Sequence, residues 1–393
     1  MPVVQRPAVA AALALSALLL TGCSGDGDGT GDGPAGGRSS EASPGGKASP
    51  SDRATADSVP PDKGEAKVVG TLTENLKSPW GLAALPGGDL IVSSRDEGTI
   101  TRIDGKSGEK TELGSVPGVA PGGEGGLMGL AISPDYASDR MVYAYFTTAS
   151  DNRIARMLYD EKKPAGEQLG APDTVLRGIP KGTIHNGGRI AFGPDKMLYA
   201  GTGETGDTGL AQDKDSLGGK ILRMTPDGRP APGNPEADSL VYSYGHRNVQ
   251  GLAWDEKQRL WAAEFGQNTW DELNLIKPDG NYGWPEVEGK GEGDSEYVNP
   301  VAQWRTDEAS PSGIAWAEGS IWMAGLRGER LWRIPLDGTK ASADPQAFLT
   351  GKYGRLRTVV AESGAKLWLV TSETDTRGEP EEGDDRVLRL QVR

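Results

Sequence analysis

The stretch GLAWDEKQRLWAAEFG, residues 251–266, contains two short apolar runs that are separated by a polar turn. Runs this short, bounded by Asp, Gly or Pro, are typical of β-strands. A similar phrase occurs six times in the 393-residue chain. The copies are centred on Leu82, Leu130, Ile190, Leu252, Ile314 and Val359, at spacings of 48, 60, 62, 62 and 45 residues.

Each copy continues into a polar loop and a third apolar run, and no window after Leu20 has a long helical apolar period with caps. Six multistranded units in series favour an all-β fold, a six-bladed β-propeller with four-stranded antiparallel blades. Two stacked β-sandwich domains are the alternative, but they would not explain six similar units without a break in composition.

The N-terminal residues 1–22 resemble a lipoprotein signal peptide. They contain one positive charge, an apolar run over residues 8–20 that is too short to span a membrane between polar flanks, and small residues before Cys23. Cys23 is the only cysteine, so an internal disulfide is excluded. We expect acylation of Cys23 and an extracytoplasmic protein that is anchored to the cell membrane by this lipid only. An unpaired cysteine within a cleaved signal peptide is the alternative.

Residues 23–66 are rich in Gly, Ser, Pro and Asp and have almost no apolar side chains, which predicts a flexible linker. Residues 67–393 then form the propeller domain. The formal net charge of −14 argues against a nucleic-acid partner, because phosphate binding requires the opposite charge.

Charged and polar residues recur at one end of the repeats. Those after the second run are Glu204, Glu264, Arg327 and Glu373. Those before the first run are Glu124, His185, His246, Arg247, Asn248, Arg355 and Arg357. Since loops of all blades converge around the axis of a propeller, we expect these groups to meet in space.

Five phrases, GGLMGLAISPDY, HNGGRIAFGPD, YGHRNVQGLAWD, DELNLIKPDGNYGWP and GRLRTVV, together resemble the soluble quinoprotein sugar dehydrogenases, the glucose/sorbosone and aldose sugar dehydrogenase family. The resemblance covers residues 67–393. It implies a six-bladed propeller that uses pyrroloquinoline quinone (PQQ) with Ca²⁺. It also implies that the C1 hydroxyl of an aldose is oxidised to a lactone and that the electrons pass to an external acceptor.

The resemblance assigns three catalytic residues. His185 is the general base, a role that suits an imidazole because it titrates near neutral pH. Glu204 orients this base, and Arg247 stabilises charge that develops on the C5 oxygen of the quinone. A packed or turn-capping role for His185 is the structural alternative, and His246 is interpreted as structural.

Cofactor contacts are also implied by the resemblance. Guanidinium groups suit a tricarboxylate because each can bind a carboxylate with two parallel hydrogen bonds. An aromatic side chain, matched to Trp304, would stack on the quinone, although an ordinary core tryptophan is the alternative. The predicted cofactor contacts are Glu124, Gln212, Arg247, Asn248, Trp304, Arg327, Arg355 and Arg357. Ordinary surface ion pairs are the alternative for the arginines.

The implied calcium ligands are the backbone carbonyls of Gly266 and Gln267, since hard cations prefer oxygen ligands. The family has Gly-Pro at this position, so the chain departs from the pattern at Gln267. Two other functions remain open from the sequence. One is a non-catalytic propeller that binds a sugar or a protein. The other is a calcium-dependent lactonase, which would need more carboxylate and Asn side chains directed at the metal.

Overall fold

The computed structural model describes residues 59–393 except 292, 294 and 363. The predicted signal peptide, Cys23 and most of the predicted linker lie outside the described residues. None of the helices within the described ranges is long and apolar enough to cross a membrane.

The described strands form six antiparallel sheets, which confirms the predicted six-bladed β-propeller. Blade 1 contains β2 (Pro79–Ala84), β3 (Leu90–Ser94), β4 (Thr99–Ile103) and β5 (Lys110–Ser115). Blade 2 contains β6 (Leu127–Ile132), β7 (Met141–Thr147), β8 (Asn152–Leu158) and β9 (Asp173–Ile179). Blade 3 contains β10 (Ile190–Phe192), β11 (Leu198–Gly201), β12 (Lys220–Met224) and β13 (Val241–Tyr244). Blade 4 contains β14 (Val249–Trp254), β15 (Leu260–Glu264), β16 (Trp270–Leu275) and β17 (Ala302–Arg305).

Blade 5 contains β18 (Pro311–Ala317), β19 (Ser320–Gly325), β20 (Arg330–Asp337) and two short outer strands, β21 (Lys340–Ala341) and β22 (Gln346–Phe348), which both pair with β20. Blade 6 contains β23 (Leu356–Ala361), β24 (Lys366–Thr371), β25 (Val387–Val392) and, from the other end of the domain, β1 (Ala66–Thr73). Two one-turn helices, α1 (Tyr136–Asp139) and α2 (Gly209–Gln212), lie in loops of blades 2 and 3.

The core lies between the blades. Six clusters of buried apolar residues each join two neighbouring blades, so both faces of a blade are covered. The second strands of the blades carry a large side chain at equivalent register positions, and all six are buried: Ile91, Tyr143, Tyr199, Trp261, Trp322 and Trp368. Five of the six are aromatic, so the same position of each repeat contributes a bulky side chain to the core.

The ring closes through the chain ends. The first strand of each blade contacts that of the next, and β23 contacts β2. Strand β1 pairs antiparallel with β25, so that Ala66 lies opposite Val392. The residues just before β1 also pack on the propeller, since the Pro61 carbonyl accepts a hydrogen bond from Arg333 at 2.9 Å. The propeller therefore begins several residues before the predicted end of the linker at residue 66.

Candidate functional site

A cavity of about 540 Å³ lies at the end of the axis where the first strands of the blades begin. Its lining includes residues from all six blades. Nine residues predicted from the sequence line it: Glu124, His185, Arg247, Asn248, Gly266, Gln267, Arg327, Arg355 and Arg357. Their convergence follows from the topology, because each lies close to the start of a first strand or the end of a second one.

The two predicted residues of the base pair are in contact. His185 Nδ1 lies 2.6 Å from Glu204 Oε1, and Glu204 is 1% exposed. The second carboxylate oxygen of Glu204 accepts the Gly206 N–H. A carboxylate on Nδ1 requires the proton there, which leaves the Nε2 lone pair of His185 available at the cavity.

The His185 backbone is held in an unusual conformation, with a φ of 50° in the left-handed region. Its N–H donates to Glu124 Oε2 at 2.9 Å, and its carbonyl accepts the Thr205 N–H at 3.2 Å. Gly187 follows with a φ of 62°, and a Cβ there would lie 2.5 Å from the Gly201 carbonyl. Backbone strain of this kind persists only where the surroundings fix it, and here it orients the imidazole.

Arg247 is the largely buried cation beside this pair. Its Nη1 donates to the Phe265 carbonyl at 3.4 Å, while its buried Nε has no hydrogen-bond partner among the described residues. Burial lowers the pKa of Arg247, and carboxylates such as that of Glu204 oppose the shift. A buried donor without a partner is costly, so this nitrogen is suited to an acceptor that enters the cavity.

Arg355 and Arg357 share one carboxylate, that of Asp375. Asp375 Oδ2 lies 3.0 Å from Arg355 Nη2 and 2.7 Å from Arg357 Nη2. Burial raises the pKa of Asp375, but the two guanidinium groups outweigh it and hold this pKa well below its usual range. Burial lowers the pKa of Arg357 to about 10 even though Asp375 opposes the shift. The single negative charge of Asp375 thus balances only one of these two cations.

The cavity as a whole is electropositive. Six arginines line it, Arg95, Arg247, Arg327, Arg355, Arg357 and Arg377, against three carboxyl groups, Glu124, Asp271 and Asp375. Burial raises the pKa of Asp271 to about 7, which reduces its negative charge further. Such an excess of positive charge, in a chain of net charge −14, favours a multiply charged anion as the ligand.

Two predicted cofactor contacts, Trp304 and Gln212, lie away from the cavity lining. Trp304 is 4% exposed and packs in the core between blades 4 and 5, with its ring 5.6 Å from that of Trp332. Gln212 is bound by residues of a neighbouring loop, since its amide pairs with that of Asn281 and donates to the Trp284 carbonyl at 2.7 Å. Neither side chain is directed at the site.

His246 is structural, as predicted. It is fully buried, stacks on Tyr282 at 4.5 Å and lies between Ser243 and Glu264. Burial lowers its pKa to about 3, so it is neutral. The sequence placed Glu264 on the binding face, but in the structure its side chain belongs to this buried cluster.

Sequence reasoning missed several lining residues. Arg95 follows the second run of the first copy, the same position that identified Glu204 and Arg327, so the same rule would have found it. The missed residues with polar or aromatic side chains include Trp80, Arg95, Gln250, Asp375 and Arg377. Three of the lining residues occupy equivalent register positions of the first strands β2, β14 and β23, namely Trp80, Gln250 and Arg357. This equivalence becomes visible only when the strands are aligned with one another.

The buried carboxyl groups beside His246 predict a pH effect on stability. Burial, then the charge of Glu264, raises the pKa of Glu272 to about 8 from a usual 4.5, and burial raises that of Glu264 to about 7. The folded state therefore keeps protons that the unfolded state releases, and stability is lost as pH rises from about 4.5 to 8. We expect Glu272→Gln to become more stable relative to the native protein as pH rises from 5 to 9.

Thermal unfolding across this pH range measures the difference. Glu286→Gln is the matched control, because Glu286 is exposed and its replacement should give no such trend. A difference between Glu272→Gln and the native protein that is independent of pH would contradict the buried pair.

Comparison with known proteins is consistent with this site. The PQQ-bound aldose sugar dehydrogenase of Streptomyces coelicolor is 78% identical, with a TM-score of 0.84, and the match covers 85% of this chain and 100% of that one. The aldose sugar dehydrogenase of Escherichia coli is 28% identical over 336 residues, covering 78% of this chain and 90% of that protein. Quinoprotein glucose dehydrogenase B of Acinetobacter calcoaceticus is 31% identical over 249 residues, 56% of this chain and 52% of that protein. The sequence model of the Glucose / Sorbosone dehydrogenase family matches residues 76–379, and the chain therefore belongs to this family.

Proposed function

We propose that the protein is a PQQ-dependent oxidoreductase that converts the C1 hydroxyl of an aldose to the lactone. The observation that carries the proposal is the His185–Glu204 pair at 2.6 Å, which presents a free imidazole nitrogen to an electropositive cavity. The relative from Streptomyces coelicolor, which is described as PQQ-bound, supports both the cofactor and the substrate class.

The cavity residues fit a tricarboxylate quinone. Arg247 Nε lacks a partner, and Arg327 at the rim makes no ion pair or hydrogen bond with the described residues. The site also has more guanidinium groups than carboxylates. Arg247, Arg327, Arg355 and Arg357 would hold the cofactor, with Asn248 beside them. Each supplies parallel N–H donors, which match carboxylate geometry.

The residues also fit a calcium ion bound through the main chain. Gly266 and Gln267 line the cavity, and their carbonyl oxygens accept no hydrogen bond from the described residues. Among those residues there is no cluster of three or more His, Cys, Asp or Glu side chains that could hold a metal. The ligands that we propose are the two backbone oxygens that the family resemblance implies, and a hard cation accepts such ligands.

The chemistry divides between cofactor and chain. When bound, the quinone supplies the acceptor for the two electrons that leave C1 with its hydrogen. His185 Nε2 accepts the proton of the C1 hydroxyl, and Glu204 stabilises the imidazolium that forms. Arg247 places a positive charge where negative charge develops. Asn248 Oδ1 accepts the Gly187 N–H at 2.9 Å and so fixes the turn that carries the base.

Reconstitution of the purified full-length protein with PQQ and Ca²⁺ tests the proposal. We expect PQQ to bind and aldoses to reduce a dye acceptor, with the oxidised sugar recovered as lactone. A panel of aldoses identifies the preferred sugar. Binding of a sugar without oxidation, by protein shown to hold PQQ, would contradict the proposal and favour a non-catalytic propeller.

A further inference from the structure

The loop that carries Gly266 and Gln267 is bound by a carboxylate from another segment. Glu288 lies in the long insertion between β16 and β17, and its Oε1 accepts four consecutive backbone N–H groups. The distances are 2.7 Å from Gln267, 3.0 Å from Asn268, 2.9 Å from Thr269 and 3.1 Å from Trp270. One carboxylate oxygen thus binds the backbone of four successive residues of this loop.

Neighbouring hydrogen bonds also hold the loop that donates to Glu288 and the insertion that carries Glu288. Asp271 Oδ1 accepts the Gly266 N–H at 2.9 Å, and Asp271 Oδ2 accepts the Ser310 N–H at 2.6 Å. On the insertion, the Gly289 N–H donates to the buried carboxyl of Glu272 at 2.6 Å. All N–H groups from Gly266 to Trp270 are therefore bound by carboxylates, while the carbonyls of Gly266 and Gln267, two residues of the cavity lining, accept no hydrogen bond within the described part of the chain.

The family resemblance described under the sequence analysis implies a proline at the position that Gln267 occupies in this chain. Proline has a fixed φ and no N–H, so it restricts a loop covalently but could not donate to Glu288. Gln267 has a freer backbone and makes the shortest of the four bonds. In this chain hydrogen bonds to a carboxylate restrain the loop at residue 267, whereas in the family pattern the ring of proline would restrain it.

We propose that Glu288 is the positioning residue for the Gly266 and Gln267 carbonyls, and that its carboxylate replaces the restraint that proline gives at residue 267. The inference rests on the proposed function for the ion that these carbonyls bind. Glu288 would act on the ion only through this loop, since Glu288 itself does not line the cavity. A loop fixed in advance binds its ion with less loss of entropy.

Hydrogen exchange in the metal-free and cofactor-free protein tests the restraint by itself. We expect the amides of residues 267–270 to exchange at least tenfold faster in Glu288→Ala, because all four lose their acceptor. Glu286→Ala is the matched control, an exposed glutamate two residues away that should leave these amides unchanged. Unchanged exchange in Glu288→Ala would overturn the proposal whatever the protein binds.

Calcium affinity tests the role of the restraint. Residues that orient metal ligands typically change affinity by about 10- to 100-fold when replaced, and we expect a loss in this range for Glu288→Ala. The decisive variant is Glu288→Ala combined with Gln267→Pro. Proline should restore most of the affinity in the absence of Glu288, whereas Gln267→Pro alone should change it little.

Tb³⁺ luminescence and Ca²⁺ competition provide these constants without turnover. A role in folding alone would not be rescued by proline, so a double variant that binds no better than Glu288→Ala would overturn the proposal. Native calcium affinity in Glu288→Ala would overturn it as well. A failure of the proposed oxidation reaction would leave both measurements intact, so the two hypotheses are tested separately.

Discussion

Replacement of His185 by glutamine is expected to lower the turnover number for aldose oxidation by about 10²- to 10⁴-fold, the usual contribution of a positioned base. Glutamine retains a polar group of similar reach but cannot take up the hydroxyl proton. Affinity for PQQ should change little, because the proposed cofactor contacts are other residues. Steady-state dye reduction and a PQQ titration measure the two effects.

Glu204→Gln provides a graded comparison. Its amide oxygen can still accept a hydrogen bond from His185 Nδ1, but it cannot stabilise the imidazolium as a carboxylate does, so we expect a smaller loss of turnover than in His185→Gln. A His185→Gln enzyme that binds PQQ and turns over at the native rate would exclude the base role.

Replacement of Asp375 by asparagine is expected to lower the free energy of unfolding of the cofactor-free protein by about 3–5 kcal/mol, because it leaves the buried Arg357 and the half-buried Arg355 without this counterion. The side chains of Asp375 and Arg357 are 3% and 5% exposed, so bulk solvent screens the unpaired charge only weakly. Urea denaturation measures the loss. Bound PQQ should recover part of it, since its carboxylates add negative charge beside the same guanidinium groups.

The matched control is Asp173→Asn. Asp173 pairs with Arg156 at 2.9 Å, but its side chain is 65% exposed, and exposed pairs contribute at most about 1 kcal/mol. Equal losses in the two variants would show that the buried triad has no special electrostatic role.

The fold could be predicted because six copies of one pattern each specify a blade. Short apolar runs separated by turn residues mark the strands directly, and buried aromatic residues such as Trp261 and Trp322 repeat at the same register. The origin of the fourth strand in blade 6 could not be predicted. Strand β1 is mostly exposed and has no local partner, and its pairing with β25 depends on the closure of the whole ring.

The site was partly predictable for a related reason. His185 and Arg247 lie in phrases that are specific to the family, whereas Trp80 and Gln250 are recognisable only after the strands are aligned. Trp304 was misplaced because it lies on β17, the strand of blade 4 farthest from the axis, and packs there between blades 4 and 5. Asp375 was missed although Glu373 was considered. Glu373 binds the Glu379 N–H at 2.7 Å, while Asp375 reaches the cavity.

The pairing of β1 with β25 has a consequence for the biogenesis of the protein. Strand β1 has its partner only after β25 has been synthesised, so blade 6 cannot be completed before that point. Until then the apolar residues that blade 1 contributes to the cluster between blades 6 and 1 are not covered by blade 6. The pairing of β1 with β25 is also slow to form, because the two strands are far apart in the sequence. A nascent or C-terminally clipped chain therefore presents an unpaired edge and an apolar surface, the features that favour aggregation and recognition by chaperones.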